Sequence, residues 1–337
     1  MKMNHNLSSR VLEIKAFDSL MSQLSVSPSY PLSPSRLAFQ PISAQDISLI
    51  NSLLQGAYSR TCDYTVGGIM MWVDFFGYEF CVADGTLFIK GRTENNRSET
   101  AFMLPIGALP TAEAVSRIID YCIAEGLTPV FSAVPEDRMD VLLDALAEFG
   151  QEVTVEHLDD WFDYIYDIHA LASFSGKHLS KKRNHFNQFV NSNPGWRFET
   201  LTPDNLPQVK EFFSRLDGGN DEMSEIARNE YDQCRAVLDN YSDFPFEGAV
   251  LRGSDGSVAA FAVGEVVGDT LFVHIEKINH SVDGAGAAVC RLFAAYMLMR
   301  HPALRFVNRE EDCGDPGLRN AKEQYHPHAL LRKYNVR

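Results

Sequence analysis

Two Asp-Gly pairs, Asp84-Gly85 and Asp255-Gly256, constrain this chain more than any other feature. Each sits between two short runs rich in β-branched and aromatic residues, 78–83 with 86–90 and 248–252 with 258–263. Asp-Gly is the pair a two-residue hairpin favours, because that turn needs positive φ angles. The pattern downstream of each pair also repeats. After the first come a helical pattern opening at Thr111, with apolar Val115, Ile118, Ile119 and Cys122, then a strand over 128–133 and a helix over 137–149. After the second come a strand over 271–277, a helix over 285–299, a strand over 304–308, a helix over 317–325 and a closing strand over 330–336. Val130, in the later strand, lies 46 residues after Asp84, and Phe306 lies 51 residues after Asp255. The pattern predicts an α/β (α+β) chain of two tandem domains, each a mixed, largely antiparallel sheet flanked by helices. One larger sheet with accidental internal similarity is the alternative. The expected division is a lead-in over 1–36, extended where Ser and Pro crowd 25–35, a first domain over 37–160 and a second over 161–337. Further helices are expected over 43–54, 206–216 and 225–240.

Charge narrows the partners. The formal net charge is −15. Residues 1–165 carry 10 Lys and Arg against 22 Asp and Glu, and the rest carry 20 against 23. A chain this acidic excludes DNA and general RNA binding, which need clustered cations to neutralise phosphates. Locally the balance reverses: no acid lies between Ile168 and Phe198, where Lys177, Lys181, Lys182, Arg183 and Arg197 do. Six scattered cysteines and ten histidines offer no ligand spacing, so neither a structural metal nor a disulfide framework is expected. The longest apolar stretch, 65–82, is interrupted by Asp74 and Glu79, so no transmembrane segment is expected. The N-terminus has no apolar core of a signal peptide, and a cytoplasmic location is the expectation.

Chemistry-bearing residues concentrate in the second half. Alternation along the strand Phe272-Val273-His274-Ile275-Glu276-Lys277 would put His274 and Glu276 on one face. Ionisable groups in tandem on a central strand are costly unless they are paired or face a cleft. Glu276 is the candidate to take a proton from an amine or hydroxyl, with His274 beside it; a buried, satisfied pair is the alternative. Asp283-Gly284-Ala285-Gly286 follows that strand and opens a helix, whose free N–H groups and dipole attract anions. Close packing at a glycine turn is the other reading. Glu323-Gln324-Tyr325 ends the last helix.

This unit resembles the Gcn5-related N-acetyltransferase (GNAT) fold, in which a hairpin leads to a central strand and a glycine loop opens a pyrophosphate-facing helix. The resemblance gives Tyr325 the place of a general acid and Gly284 and Gly286 that of a donor-binding loop. It departs at Ser281, where Gln or Arg is usual, and at Asp283, which would repel a pyrophosphate. Two longer stretches are more specific. Leu171, Gly176, Lys177, Lys182, Arg183 and Asn184 form one pattern. Asn308, Arg309, Glu310, Glu311, Asp312, Gly314, Gly317, Leu318, Arg319, Lys322 and Tyr325 form the other. Both are similar to the phosphatidylglycerol lysyltransferase C-terminal-like family, once a domain of unknown function. The resemblance spans most of 37–337 and implies a duplicated acetyltransferase fold within a wider group that moves aminoacyl groups from transfer RNA.

The resulting expectation is an acyltransferase that takes an aminoacyl group from aminoacyl-tRNA, or an acyl group from acyl-CoA, to an amine or hydroxyl on a small molecule or peptide. Lys177, Lys182, Arg183, Asn184, Asn308, Arg309, Arg319 and Lys322 would hold the donor, including the tRNA 3′ end. Glu276, Tyr325 and His274 would handle protons. Some of these cations are equally readable as a solvated helix face or a salt-bridge network. A non-catalytic module sensing an anionic or nucleotide-like ligand with the same residues is the alternative function.

Overall fold

The computed structural model describes residues 36–56, 59–150, 153–216 and 224–337; the expected lead-in over 1–35 lies outside them. The chain forms two compact units, each built on a mixed sheet. One unit comprises the described residues up to Gln40, with Glu79–His157 and Tyr334–Arg337; the other comprises Pro41–Tyr78 and Leu158–Lys333. Residues 41–78, expected in the first domain, thus pack in the second unit. The break expected at 160 falls two residues from Leu158.

The first sheet runs Gln40–Pro41, Glu79–Ala83, Thr86–Arg92, Thr100–Phe102, Phe131–Pro135, Lys333–Val336, Val155–His157. Its hairpin closes at Asp84-Gly85, both with positive φ (47° and 69°), as the two-residue turn requires. Helices Thr111–Glu125 and Met139–Ala147 bury Val115, Ile118, Cys122, Leu142 and Leu146.

The second sheet runs Ala329–Leu331, Asp163–Asp167, Phe306–Asn308, Thr270–Ile278, Val258–Val267, Glu247–Arg252, Arg197–Thr200. All its pairings are antiparallel except Thr270–Ile278 with Phe306–Asn308, which is parallel. One face carries Ala285–Arg300, whose alanines at 285, 287, 288 and 294 are buried with Tyr166, Phe189 and Val273. The other carries Leu206–Leu216 and Glu225–Asp239, packed on Val250, Phe261 and Ile275.

Two elements differ from the sequence reading. The single strand expected over 330–336 is two strands, Ala329–Leu331 and Lys333–Val336, hydrogen-bonded in different sheets. The apolar stretch at 65–82 holds a helix, Val66–Phe76, capped by the Thr65 hydroxyl at one end and by left-handed Gly77 at the other. Its Met71 joins the core beside Phe261, and its Asp74 accepts from Gln233. Among the described residues, no helix is long and apolar enough to cross a membrane.

Candidate active site

Parallel pairing between Thr270–Ile278 and Phe306–Asn308 ends at Phe272 opposite Asn308. The chain then turns off the sheet through Glu310, whose φ of 57° is the left-handed conformation a β-carbon disfavours. Three side chains hold that turn. The Asn308 side-chain oxygen accepts from the Glu310 amide at 2.6 Å. The Lys322 ammonium donates to the carbonyls of Arg309 and Glu311. His274 Nδ1 meets Glu310 Oε1 at 2.6 Å.

Held this way, Arg309 reaches back to the same central strand. Its Nη2 donates to Glu276 Oε1 at 2.8 Å, and its guanidinium lies 4.7 Å from the Tyr325 ring centre and 5.8 Å from that of Tyr166. Nη1 is buried with no hydrogen-bond partner. Lys182 comes from the helix Ser180–Ser192: its ammonium sits 3.9 Å from the same Tyr325 ring centre and 3.2 Å from Gln324 Oε1. Burial, then the Arg309 charge, pull Lys182 down to about 8. Burial pushes the Tyr325 hydroxyl well above its ordinary value and the neighbouring Cys290 thiol up to about 12, so both keep their protons. The cluster therefore offers one unused guanidinium nitrogen, a carboxylate, a neutral phenol and a lysine close to its titration point.

Glu276, Tyr325, Arg309 and Lys182 thus come together as one site. His274 does not join them. The alternation that would place it beside Glu276 is broken by a β-bulge: Val263 and Gly264 are adjacent, yet their partners are Ile275 and Val273, leaving His274 as the extra residue. Its ring points to the opposite face, between Glu310 and Glu265, tilted against Phe246. Gly67 leaves room for it, since a β-carbon there would lie 2.2 Å from the imidazole. Burial alone would lower this imidazole, but the two carboxylates outweigh it and hold it up at about 10. A ring so strongly protonated is a fixed cation at neutral pH, not a proton acceptor.

The other expected donor-binding residues spread out. Gly284 (φ 77°) begins its helix against the helix Ser180–Ser192; a β-carbon there would lie 2.1 Å from the His185 carbonyl oxygen. Asp283 accepts from Gln188 beside it, and Gly286 faces Ile278. Arg183 donates to the carbonyls of Phe174 and Gly176, tying off the end of the helix Ile168–Ser173. Arg319 makes two bonds to Asp312, which also accepts from the Tyr164 hydroxyl. Asn308 donates to Asp163 and to the Arg60 carbonyl. Lys177 and Asn184 are exposed at the surface.

Asp163 opens a second buried cluster that the sequence did not reveal. Lys333 Nζ lies 2.7 Å from both Asp163 and Asp63 and 3.8 Å from Glu311, while Cys62 donates to Glu311 at 3.0 Å. Cys62, Asp63 and Asp163 bring ligand atoms within 4.8 Å of one another, a convergence their spacing of 100 residues concealed. The Lys333 ammonium already supplies the cation those carboxylates need. Burial raises Glu311 to about 8. Tyr166, in the stretch Tyr164-Ile165-Tyr166 that leads into the first family pattern, also lies against the cluster around Tyr325, its ring centre 5.8 Å from the Arg309 guanidinium. The Tyr164-Ile165-Tyr166 alternation is its signal, since both hydroxyls point into the motif, to Asp312 and to the Lys322 carbonyl.

A family model described as "Phosphatidylglycerol lysyltransferase, C-terminal" matches residues 56–337. A conserved protein of unknown function from Bacteroides thetaiotaomicron VPI-5482 superposes with a TM-score of 0.79 at 27% identity, over 89% of this chain and 99% of that one. L-PGS from Bacillus licheniformis gives 0.60 at 14% identity, over 86% and 90% of the two chains. FemX gives 0.53 at 11% identity, over 89% and 97%. The two more distant likenesses show a shared fold alone. No curated protein matches the sequence.

Proposed function

Since this chain belongs to the phosphatidylglycerol lysyltransferase C-terminal family, we propose that it is an acyltransferase of the aminoacyl type, moving an aminoacyl group from an ester donor to an amine or hydroxyl. The observation that carries this reading is the unpartnered Arg309 Nη1. A buried N–H with nothing to donate to is costly on its own but is what a developing oxyanion requires.

In this reading the acceptor nitrogen or oxygen attacks the ester carbonyl carbon, and the new oxyanion accepts from Arg309 Nη1. The acceptor's proton passes to Glu276 Oε2, since Oε1 is bonded to Arg309. The donor's C–O bond then breaks, and its oxygen takes the proton of Tyr325, which burial keeps protonated; solvent relays a proton from Glu276 back to Tyr325. An ester of tRNA is favoured over acyl-CoA as donor, because the helix start at Gly284 lies against the His185 carbonyl rather than open to a pyrophosphate.

The test uses tRNA charged with radiolabelled amino acids and hydroxylamine as a surrogate acceptor, with protein-dependent aminoacyl hydroxamate as the readout. Arg309→Gln is expected to lower the rate about 10²–10³-fold, the usual effect of losing one oxyanion donor. If the native protein forms no more hydroxamate than the variant, the acyltransferase reading falls and the non-catalytic ligand-sensing reading takes its place.

A further inference from the structure

Arg309 and Glu310 are consecutive, yet they are gripped from opposite faces of one strand. Glu276 holds the Arg309 guanidinium on one face. His274, two residues earlier and turned to the other face by the bulge, holds the Glu310 carboxylate. Glu310 needs such a hold, because its φ of 57° is costly for a residue with a β-carbon. The imidazole itself is locked in place. Its side chain is 1% exposed, its Nε2 lies 2.9 Å from Glu265 Oε1, and that oxygen also accepts from the Gly67 amide at 2.7 Å. Gly67 closes over the ring, and the Phe246 and Phe272 rings lie 5.4 and 6.4 Å from it, centre to centre. Asn308 and Lys322 hold the same turn through its backbone. His274 holds it through a side chain, and from the strand that carries Glu276.

We infer that His274 is the positioning residue for Arg309, a rigid strut that acts through Glu310 to set where the unpartnered Nη1 points. The inference rests on the acyltransferase reading for what Arg309 does there; the strut itself stands on the geometry. A single bond from Nη2 to Glu276 does not by itself fix the direction of Nη1. Holding the backbone one residue away removes that freedom, and an oxyanion donor has to be aimed before the charge develops. Charge-assisted bonds to two carboxylates keep the imidazole in one orientation, which is what a strut requires. His274 touches none of the groups assigned to the reaction, and it takes no part in the proton transfers.

Two substitutions separate a strut from general packing. Asparagine carries its amide where Nδ1 stands and glutamine where Nε2 stands. His274→Asn therefore keeps the bond to Glu310, and His274→Gln keeps the bond to Glu265. Both lose the same charge. Hydrogen–deuterium exchange of the full chain, read on peptides covering 307–311, is expected to be about tenfold faster in His274→Gln than in His274→Asn. With charged tRNA and hydroxylamine, His274→Gln is expected to lower kcat about 10²-fold at unchanged KM for the tRNA, while His274→Asn stays within about threefold of the native protein. Glu310→Ala leaves His274 paired with Glu265 alone; it is expected to behave as His274→Gln and serves where a His274 variant does not fold. Equal exchange in the two His274 variants, equal kcat in them, or a Glu310→Ala variant that exchanges as slowly as the native protein overturns the inference. A native protein that forms no hydroxamate while the exchange contrast stands removes the acyltransferase reading and leaves the strut.

Discussion

Two buried lysines of the same unit meet opposite surroundings. Lys333 stands among Asp163, Asp63 and Glu311; Lys182 stands against a tyrosine ring and an amide. Carboxylates outweigh burial at Lys333 and raise its ammonium well above the ordinary value, while burial pulls Lys182 down to about 8. A surplus of acids can be absorbed within the chain, because a buried carboxyl can keep its proton, as the raised Glu311 shows. The first cluster is therefore neutralised within the protein; at the second, Glu276 neutralises Arg309, and Lys182, with no carboxylate partner, is brought close to losing its proton.

The comparison breaks most readily at Lys333. Lys333→Met leaves Asp163 and Asp63 buried without their cation, and urea unfolding is expected to show a loss of about 3–5 kcal/mol. Equal or greater stability would mean that the cluster is no more demanding than the site around Lys182.

Glu311→Gln sharpens the same contrast through pH. A carboxyl whose folded value, about 8, lies above its unfolded value binds more protons folded than unfolded between the two. Its stabilisation is full below the ordinary carboxylate range and is lost as pH rises through about 8. Glutamine cannot ionise, so the variant is expected to match the native protein near pH 5. Near pH 9 it should exceed it by about 4 kcal/mol. A constant difference between the two pH values would place the titrating group elsewhere.

The smallest effect belongs to the surface. Lys177→Ala, at an exposed position, is expected to leave the stability within about 0.5 kcal/mol of the native value. A loss of hydroxamate formation with the fold intact would give Lys177 a part in holding the donor. An unchanged rate would leave it a solvated residue.

The local sequence carried the hairpins well. Asp84-Gly85 turns where a positive-φ pair was required, Thr111–Glu125 follows the apolar periodicity that announced it, and Leu206–Leu216 and Ala285–Arg300 form where helices were expected. The helix Val66–Phe76 escaped notice because it is apolar nearly all round, with Val66, Ile69, Met71, Phe75 and Phe76 buried, which leaves little polar face for a period to show. The family motifs singled out segments that meet around Glu276 and Tyr325 but not the division of labour inside them. Asn308, Lys322 and Arg319 spend polar atoms on the loop itself, whereas Arg309 keeps one unused.

Composition and pattern alone determined an acidic chain with two sheets, each holding a hairpin at an Asp-Gly pair, and a cation-rich segment before residue 198. Those properties depend on neighbours a few residues apart, and a sequence records them directly. The tertiary structure decided which side of the sheet His274 and Glu276 occupy, because one bulged residue inverts every later side chain on a strand. It also decided that Lys333 finds Asp163, 170 positions earlier in the chain, while Lys182 meets an amide oxygen and a ring instead of a carboxylate. Whether a charge is neutralised depends on distances of a few ångströms, and sequence separation does not encode them.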